Sequence, residues 1–385
     1  MIGLGSTASK SPTVNKTIVR DGLVLRHDYT NRLVEPVSSG SASFNGTSDY
    51  IDMGDVCNLG TGDFSISLWV NLGAEATNQY LISKYVDASN HWYLRTQNAD
   101  KIQFFSRTSA DESVIDRGSI TVLSHNVWHH VVITAERGTA TKSFINGVLE
   151  GSGDSDATDL SNAASLHFGR YSSNYASGYM SNVGIWSAAL TQPQIKSIMH
   201  KDYAGLSASE KTGLVSWWNL DSTLGSYTGF SETDGSPSTM SNLVLDSANQ
   251  GLTAVTVSNS NFTSGSGTSI TNWTNESDQW TKVGNTVVSG TTKKLLYQDV
   301  LTANTAHKAV IRARRTSGSA GVAELSCYFG GNNFAFVTLT DDFVDYEFHG
   351  LQDNNTILYL HNKNGDVTVD SVEVYIHDGN TGNLL

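Results

Sequence analysis

Short runs of alternating apolar and polar residues, separated by turn-forming residues, recur along most of this chain. In the run 64–71, the residues Phe64, Ile66, Leu68 and Val70 alternate with Ser65, Ser67, Trp69 and Asn71. A period of two places the apolar side chains on one face of a β-strand. The dipeptide Asn146-Gly147 stands between two apolar runs, and both residues tolerate the positive φ of a tight hairpin turn. The pattern predicts many short antiparallel strands, as in a sandwich or jelly roll.

Length and composition agree with this all-β prediction. The chain has 385 residues, which is enough for two or three domains. It contains 35 Gly but only 4 Pro, in a sequence rich in Ser, Thr and Asn, which favours tight turns between strands. The fold class that we predict is two antiparallel jelly-roll sandwiches in tandem, with a short helical segment and a connector between them.

Charge and cysteine content exclude several classes of function. With 24 Lys and Arg against 37 Asp and Glu, the chain lacks the basic stripe that sequence-independent binding of nucleic acid requires. Its two cysteines, Cys57 and Cys327, provide neither a disulfide framework nor a cysteine-based zinc site. No signal peptide and no run of about 20 apolar residues is apparent, so we expect synthesis in a cytoplasm and no membrane insertion.

Helix signals divide the two β regions. Thr191 precedes Gln194 by three residues, which is the spacing of a capping box, and predicts a helix that ends the first sandwich. A second box, from Ser207 to Glu210, predicts another short helical turn. We therefore predict four units: an N-terminal arm over 1–16, a first jelly roll over 17–205, a connector over 206–257 with a mobile loop at 222–241, and a second jelly roll over 258–385.

Five ordered motifs carry a family resemblance. They are Ser43 to Gly54, Phe64 to Val70, Trp128 to Thr134, Phe144 to Val148, and Gly178 to Trp186 followed by Ala189-Leu190-Thr191. Their order resembles that of the concanavalin A-like jelly rolls of the laminin-G and pentraxin type. The resemblance implies a two-sheet sandwich whose rim loops often bind calcium or glycans.

The second half is similar to the galactose-binding-like jelly rolls of carbohydrate-binding modules. The matching segments are Asn261-Phe262, Asn272-Trp273, Trp280, Tyr297 to Val300, Ala309 to Arg314 and Val369 to Val372. The whole arrangement, with its connector from Leu206 to Leu220, resembles structural proteins of marine tailed bacteriophages. This resemblance implies a virion component.

Aromatic side chains are the usual platforms for stacking on sugar rings. We therefore predict glycan contacts at Trp92, Tyr93, Tyr171 and Tyr175 in the first sandwich, and at Trp273, Trp280 and Tyr328 in the second. Many tryptophans of a two-sandwich protein simply fill its core, and this alternative stays open for each of them.

Calcium is the cofactor that the sequence favours, if there is one. Asp52 and Asp55 supply the hard oxygen ligands that calcium prefers, although aspartate is also common in ordinary turns. The carbohydrate-binding-module resemblance implies that Asp370 helps to hold a structural calcium near the first strand, beside Asn261.

We expect this protein not to be an enzyme. Hydrolysis of a glycan needs two carboxylates facing each other across a cleft, whereas solvated surface acids are the ordinary explanation for pairs such as Asp345/Glu347. The hypothesis is a phage virion protein, assembled in the host cytoplasm, that decorates the capsid or forms part of a fibre or tail. Its expected partners are other virion proteins bound through the arm, further copies of itself, and host-surface glycans. The alternatives are a glycan depolymerase and a cement protein without any ligand.

Overall fold

The computed structural model describes residues 36, 40–73, 78–97, 100–108, 113–221, 228–231, 237–239, 242–244, 246–249, 251–290, 294–303, 305–316, 322–329, 333–334, 336–352, 355–380 and 382–384. The predicted arm, 1–16, and the start of the predicted first jelly roll lie outside these residues.

The chain up to residue 218 contains fifteen of the described strands. They are β1 (Ala42–Asn45), β2 (Ile51–Asp52), β3 (Phe64–Leu72), β4 (Tyr80–Asp87), β5 (Asn90–Gln97), β6 (Lys101–Arg107), β7 (Ser113–Val122), β8 (Trp128–Glu136), β9 (Ala140–Ile145), β10 (Val148–Gly153), β11 (Leu166–Phe168), β12 (Arg170–Tyr171), β13 (Asn174–Tyr175), β14 (Ser177–Trp186) and β15 (Leu214–Trp218).

The second half contains the remaining described strands. They are β16 (Thr228–Ser231), β17 (Pro237–Thr239), β18 (Asn242–Val244), β19 (Leu252–Val255), β20 (Gly265–Ser266), β21 (Ser269–Ile270), β22 (Thr274–Asn275), β23 (Trp280–Val283), β24 (Thr286–Ser289), β25 (Lys294–Asp299), β26 (Thr305–Arg315), β27 (Glu324–Phe329), β28 (Asn333–Phe334), β29 (Phe336–Thr338), β30 (Val344–Gln352), β31 (Ile357–Asn364), β32 (Val367–His377) and β33 (Gly382–Leu384).

Two large sheets form the first sandwich. One has the order β1-β14-β3-β8-β9-β10, with β15 also paired to β14, and the other has the order β18-β33-β2-β11-β4-β5-β6-β7. Alternate residues of β3, among them Phe64, Ile66 and Leu68, pack in one core with Leu94 and Phe104 of the facing sheet. The alternation in the sequence therefore identifies which face of β3 points into the core between the two sheets, although the opposite face is also buried.

The hairpin between β9 and β10 confirms the turn prediction. Asn146 and Gly147 adopt φ values of 51° and 74°, and Val148 pairs with Ile145. Both central residues need positive φ in this type of turn, which is why Asn-Gly occurs here.

Helix α1 (Gln192–Ile198) covers the outer side of the β14 sheet. Its Ile195 and Ile198 share a second apolar cluster with Trp186 and Trp217. The N–H of Thr191 donates to Oε1 of Gln194 over 2.9 Å, as the capping-box spacing predicts. The second box forms turns rather than a helix. The helix thus lies on the side of this sheet that faces away from β4 to β7.

The second sandwich also has two main sheets. Their orders are β23-β24-β32-β26-β30, with β19 paired to β32, and β22-β25-β31-β27-β29. Ala309 and Ile311 of the first sheet meet Leu325 and Leu358 of the second in a common core. The prediction of an all-β chain of antiparallel sandwiches is confirmed.

The predicted connector contributes strands to both sandwiches. Strand β15 extends the first sandwich and β19 extends the second. Within the predicted loop at 222–241, β16 pairs with β17 and with β28. The C-terminal strand β33 pairs with β2 of the first sandwich, where Ile51 lies opposite Leu384. Nowhere in the described part of the chain is there a helix long and apolar enough to cross a bilayer.

Candidate functional site

The outward side of the β4-β5-β6 sheet carries a cluster of six rings, which we call the aromatic face. Its members are Tyr80, Tyr85, His91, Tyr93, Phe105 and Tyr171. The pleat of β5 explains the arrangement, because Trp92 and Leu94 point into the core while the residues between them point outward. The register places Tyr93 opposite Phe105 and His91 opposite Arg107.

Tyr171 reaches the aromatic face from a separate hairpin, β12–β13. Its ring stacks on Tyr80 with centroids 4.4 Å apart and contacts Tyr93 edge-on at 5.2 Å. The Ser83 hydroxyl donates a 2.6 Å hydrogen bond to the carbonyl of Arg170, which attaches the hairpin to β4. The hairpin therefore forms a wall over one side of the face.

A polar network crosses the base of the aromatic face. Arg95 donates from Nε to Gln103 Oε1 over 2.9 Å and from Nη1 to the Tyr80 hydroxyl over 2.9 Å. Gln103 in turn donates from Nε2 to Asp116 Oδ1 over 2.7 Å. The Arg95 guanidinium also lies 4.8 Å from the centroid of the Tyr93 ring, within cation–π range. These contacts fix the orientation of the rings.

Burial sets the charge state of the face. It raises the pKa of Tyr171 and of Tyr93, and it lowers the pKa of His91. At neutral pH the two phenols are therefore protonated and the imidazole is neutral. The face presents uncharged rings whose hydroxyl groups act as hydrogen-bond donors and acceptors.

Exposure separates the rings that a ligand can touch from those that support them. Tyr80 and Tyr93 are each only 7% exposed, whereas Tyr85, Phe105 and Tyr171 are half-buried. The accessible ring surface thus belongs to these last three residues, with Asp116 exposed beside Phe105.

The structure corrects part of the predicted glycan site. Trp92, Trp273 and Trp280 are 1%, 6% and 0% exposed and belong to the two cores, so the expectation that they are exposed platforms is wrong. A large apolar indole gains more free energy in the core than at the surface. Tyr93 is likewise buried, but it lies in the floor of the aromatic face.

The other predicted tyrosines divide between the two sandwiches. Tyr171 belongs to the aromatic face, and Tyr175 follows it on the same hairpin, 6.2 Å from Tyr50. Tyr328 lies in the second sandwich, where its ring is buried and stacks on Tyr359 at 4.4 Å. The predicted glycan residues therefore do not form one site.

The predicted calcium ligands of the first sandwich have other partners. Asp55 accepts a 2.7 Å hydrogen bond from the buried ammonium of Lys84. Asp52 accepts from the Gly54 N–H over 2.9 Å and lies 3.6 Å from His167. Each carboxylate thus has its own local partner.

The second predicted calcium site is less defined. Asp370 lies 3.4 Å from Arg312 Nε, and Asn261 is exposed and accepts from Thr263. Among the residues that the structure describes, no group of three or more His, Cys, Asp or Glu side chains is placed to hold a metal. Calcium at Asp370 and Asn261 stays a prediction.

Sequence reasoning missed most of the aromatic face. Tyr80, Tyr85, His91 and Phe105 were not among the predicted residues, although a signal for part of the face exists. In 91–95 and 103–107, His91, Tyr93, Arg95, Gln103, Phe105 and Arg107 all occupy alternate positions. Period-two alternation could have assigned these six residues to outward strand faces.

One family model matches part of the chain. Residues 45–196 match the family model described as the concanavalin A-like lectin/glucanases superfamily. The matched segment contains strands β2 to β14 and all six rings of the aromatic face. The sequence matches none of the curated proteins with which it was compared.

Three solved structures are similar to parts of the chain. A native heptameric SAP-like pentraxin from Limulus polyphemus is 14% identical over 41% of this chain and 80% of its own, with a TM-score of 0.34. Domain 4 of the arabinanase AbnA from Geobacillus stearothermophilus, in complex with arabinotriose, is 23% identical over 42% and 76%, with a TM-score of 0.34. The sialidase CBM40 of Ruminococcus gnavus, bound to α2,3-sialyllactose, is 13% identical over 44% and 100%, with a TM-score of 0.35.

Proposed function

We propose that the aromatic face of the first sandwich binds glycans. The observation that carries the proposal is the combination of half-buried rings at Tyr85, Phe105 and Tyr171 with the exposed carboxylate of Asp116, which Gln103 holds through a hydrogen bond. Sugar rings offer apolar C–H faces for stacking and hydroxyls for hydrogen bonds, so one surface of this composition serves both.

Binding without cleavage fits the placement of acids around this face. Along one row of the sheet, Asp52 and Asp116 stand at opposite ends, with His167, Ser83, Tyr93 and Phe105 between them. Five strand spacings of about 4.8 Å separate these two carboxylates by about 24 Å. Glycosidases hold their two carboxylates about 5–9.5 Å apart, which favours a binding role here.

Carboxylates of the second sandwich are engaged in ion pairs. Glu347 Oε1 lies 2.7 Å from Lys308 Nζ, and Asp345 Oδ1 lies 3.2 Å from Arg312 Nη1. The hydrogen bond from Lys308 lowers the pKa of Glu347, which makes this side chain a poor proton donor at neutral pH. The two acids Asp345 and Glu347 therefore also favour a non-enzymatic role.

Within this proposal, the chain serves a bacteriophage particle as a capsid-decoration, fibre or tail component. The support is the sequence resemblance of the two-sandwich arrangement to phage structural proteins. Many copies on one particle would convert weak glycan sites into strong adhesion, because each further contact is effectively intramolecular. Cryo-electron microscopy of intact particles would locate the chain, and its absence from them would refute this assignment.

Glycan binding is tested with the intact chain on a glycan array. We expect Tyr171→Ala to reduce binding strongly. The matched control is Tyr179→Ala, because Tyr179 is 47% exposed but lies on β14, in the other sheet. Equal loss in both variants, or binding that survives Tyr171→Ala, would refute the assignment of the site. Release of shortened glycans during the assay would favour the depolymerase alternative, and no binding to any glycan would favour the cement protein.

A further inference from the structure

Two arginines flank the accessible part of the aromatic face. Arg107 lies opposite His91 on the β5–β6 ladder, and Arg95 lies opposite Gln103. The two cross-strand pairs are four residues apart along each strand, or about 13 Å. Phe105 and its partner Tyr93 lie midway between them.

Neither arginine is neutralised by a described carboxylate. Arg95 donates to neutral oxygens of Gln103, Tyr80 and Gln97. The Nε atom of Arg107 is buried and has no hydrogen-bond partner in the part of the chain that the structure describes. Asp116, which lies opposite Phe105, is hydrogen-bonded to Gln103, and neither it nor Asp87, at the end of β4, makes a described ion pair with either guanidinium.

A third arginine without a described ion pair, Arg170, lies at the border of the aromatic face. Arg170, on the β12–β13 hairpin, donates from Nε to the carbonyl of Ser172, and its guanidinium lies 4.4 Å over the Tyr50 ring. On the second sandwich, by contrast, Arg312 pairs with Asp345 and Arg315 with Asp341. Three guanidinium groups without a described ion pair thus lie around the rings.

We propose that the glycan bound by the aromatic face is acidic and carries carboxylate groups, such as those of uronic acids. This inference rests on the proposed glycan-binding function and specifies its ligand class. A guanidinium recognises a carboxylate through two parallel hydrogen bonds, while Phe105 and Tyr171 contact the sugar rings. Arg107 is the principal anion contact, because its guanidinium has the fewest partners of its own.

The experiment compares two probes that differ only in charge. Oligogalacturonate and its carboxyl-reduced derivative, which is a neutral galactose oligomer, are titrated into the full chain by calorimetry at low and high salt. We expect the acidic probe to bind at least about tenfold more tightly at low salt, which corresponds to one charge-assisted contact. Arg107→Gln should remove most of this preference, and Arg312→Gln, on the second sandwich, should leave it unchanged.

The outcomes distinguish this inference from the function on which it rests. Equal affinity for the two probes, or an unchanged preference in Arg107→Gln, would overturn the acidic-glycan inference and leave the glycan-binding proposal standing. Binding of neither probe, together with a blank glycan array, would overturn both. Circular dichroism of Arg107→Gln confirms that a loss of preference is not a loss of fold.

Discussion

The ammonium nitrogen of Lys84 lies 2.7 Å from Oδ1 of Asp55, although Lys84 is fully buried and the Asp55 side chain is 46% exposed. The same nitrogen donates to Asn58 Oδ1 over 2.8 Å and to the carbonyl of Val56 over 3.1 Å. Three oxygens thus satisfy the three donors of one buried charge. This contact ties β4 to the loop after β2, which the sequence offers as a calcium loop.

Removing the two partners of this ion pair should have unequal effects. Asp55→Asn leaves a buried ammonium without its counter-charge and should lower the free energy of unfolding by about 2 kcal/mol. This loss is smaller than is usual for a buried ion pair because Asp55 is partly solvated. Lys84→Met leaves only a carboxylate that water can reach, and should lower the free energy of unfolding by about 1 kcal/mol. Urea unfolding of both variants checks the order. A larger loss in Lys84→Met would show that the lysine stem, rather than its charge, stabilises the loop.

The pair of Glu210 and Lys201 predicts a pH dependence of stability. Burial raises the pKa of Glu210, but hydrogen bonds from Lys201, Ser197 and Ser207 outweigh it and lower this pKa to about 2. Because the folded-state pKa lies below that of the unfolded chain, the unfolded state takes up the proton first as the pH falls. The stabilisation, about 3 kcal/mol, is therefore complete above about pH 4.5 and is lost towards pH 2.

Glu210→Gln tests this dependence. The difference in unfolding free energy between wild type and variant should be about 3 kcal/mol at pH 7 and should approach zero near pH 2. Glu136→Gln, at the exposed end of β8, is the control and should show little difference at either pH. A wild-type advantage over Glu210→Gln that persists at pH 2 would contradict the argument.

The C-terminal strand β33 should stabilise strand β2, which is more than 300 residues away in the sequence. Strand β33 pairs with β2, so deletion of residues 381–385 exposes the backbone groups of Ile51 and Asp52. We expect hydrogen exchange in a peptide that covers 50–53 to become about tenfold faster, since local opening then requires fewer hydrogen bonds to break. Peptides from β8 should exchange as before. Unchanged exchange at 50–53 would show that β33 does not protect β2.

This pairing also marks what the sequence could not predict. Alternation and turn residues locate strands such as β3 and the β9–β10 hairpin, because those signals depend on neighbours a few residues away. The pairing of Asp52 with Asn383 joins distant parts of the chain. Strand pairing over such distances is decided by tertiary packing, which leaves little trace in local sequence.

The candidate site was also predicted only in part, because some of its contacts depend on tertiary packing. The sequence singled out Tyr93 and Tyr171, which do meet in the aromatic face, at 5.2 Å. It did not predict that the β12–β13 hairpin folds over β4, which is what brings them together. The sequence analysis also named Trp92, which is next to Tyr93. Neighbouring residues of a strand point to opposite sides of the sheet, so the two rings cannot share one face, and Trp92 is the one that lies in the core.

Phe104 and Phe105 offer a matched test of this two-sided sheet, since the same residue type occupies both sides at adjacent positions. Phe104 is fully buried and packs against Phe64 with ring centroids 5.5 Å apart, whereas Phe105 is half-buried and stacks on Tyr93 at 5.4 Å. Phe104→Leu should cost about 1–2 kcal/mol of unfolding free energy and leave glycan affinity unchanged. Phe105→Leu should cost less than about 1 kcal/mol but lower glycan affinity several-fold, because the leucine side chain offers no ring for a sugar to stack on. Urea unfolding and calorimetric titration of both variants measure the two effects, and a loss of affinity in Phe104→Leu equal to that in Phe105→Leu would contradict the separation of core from binding surface.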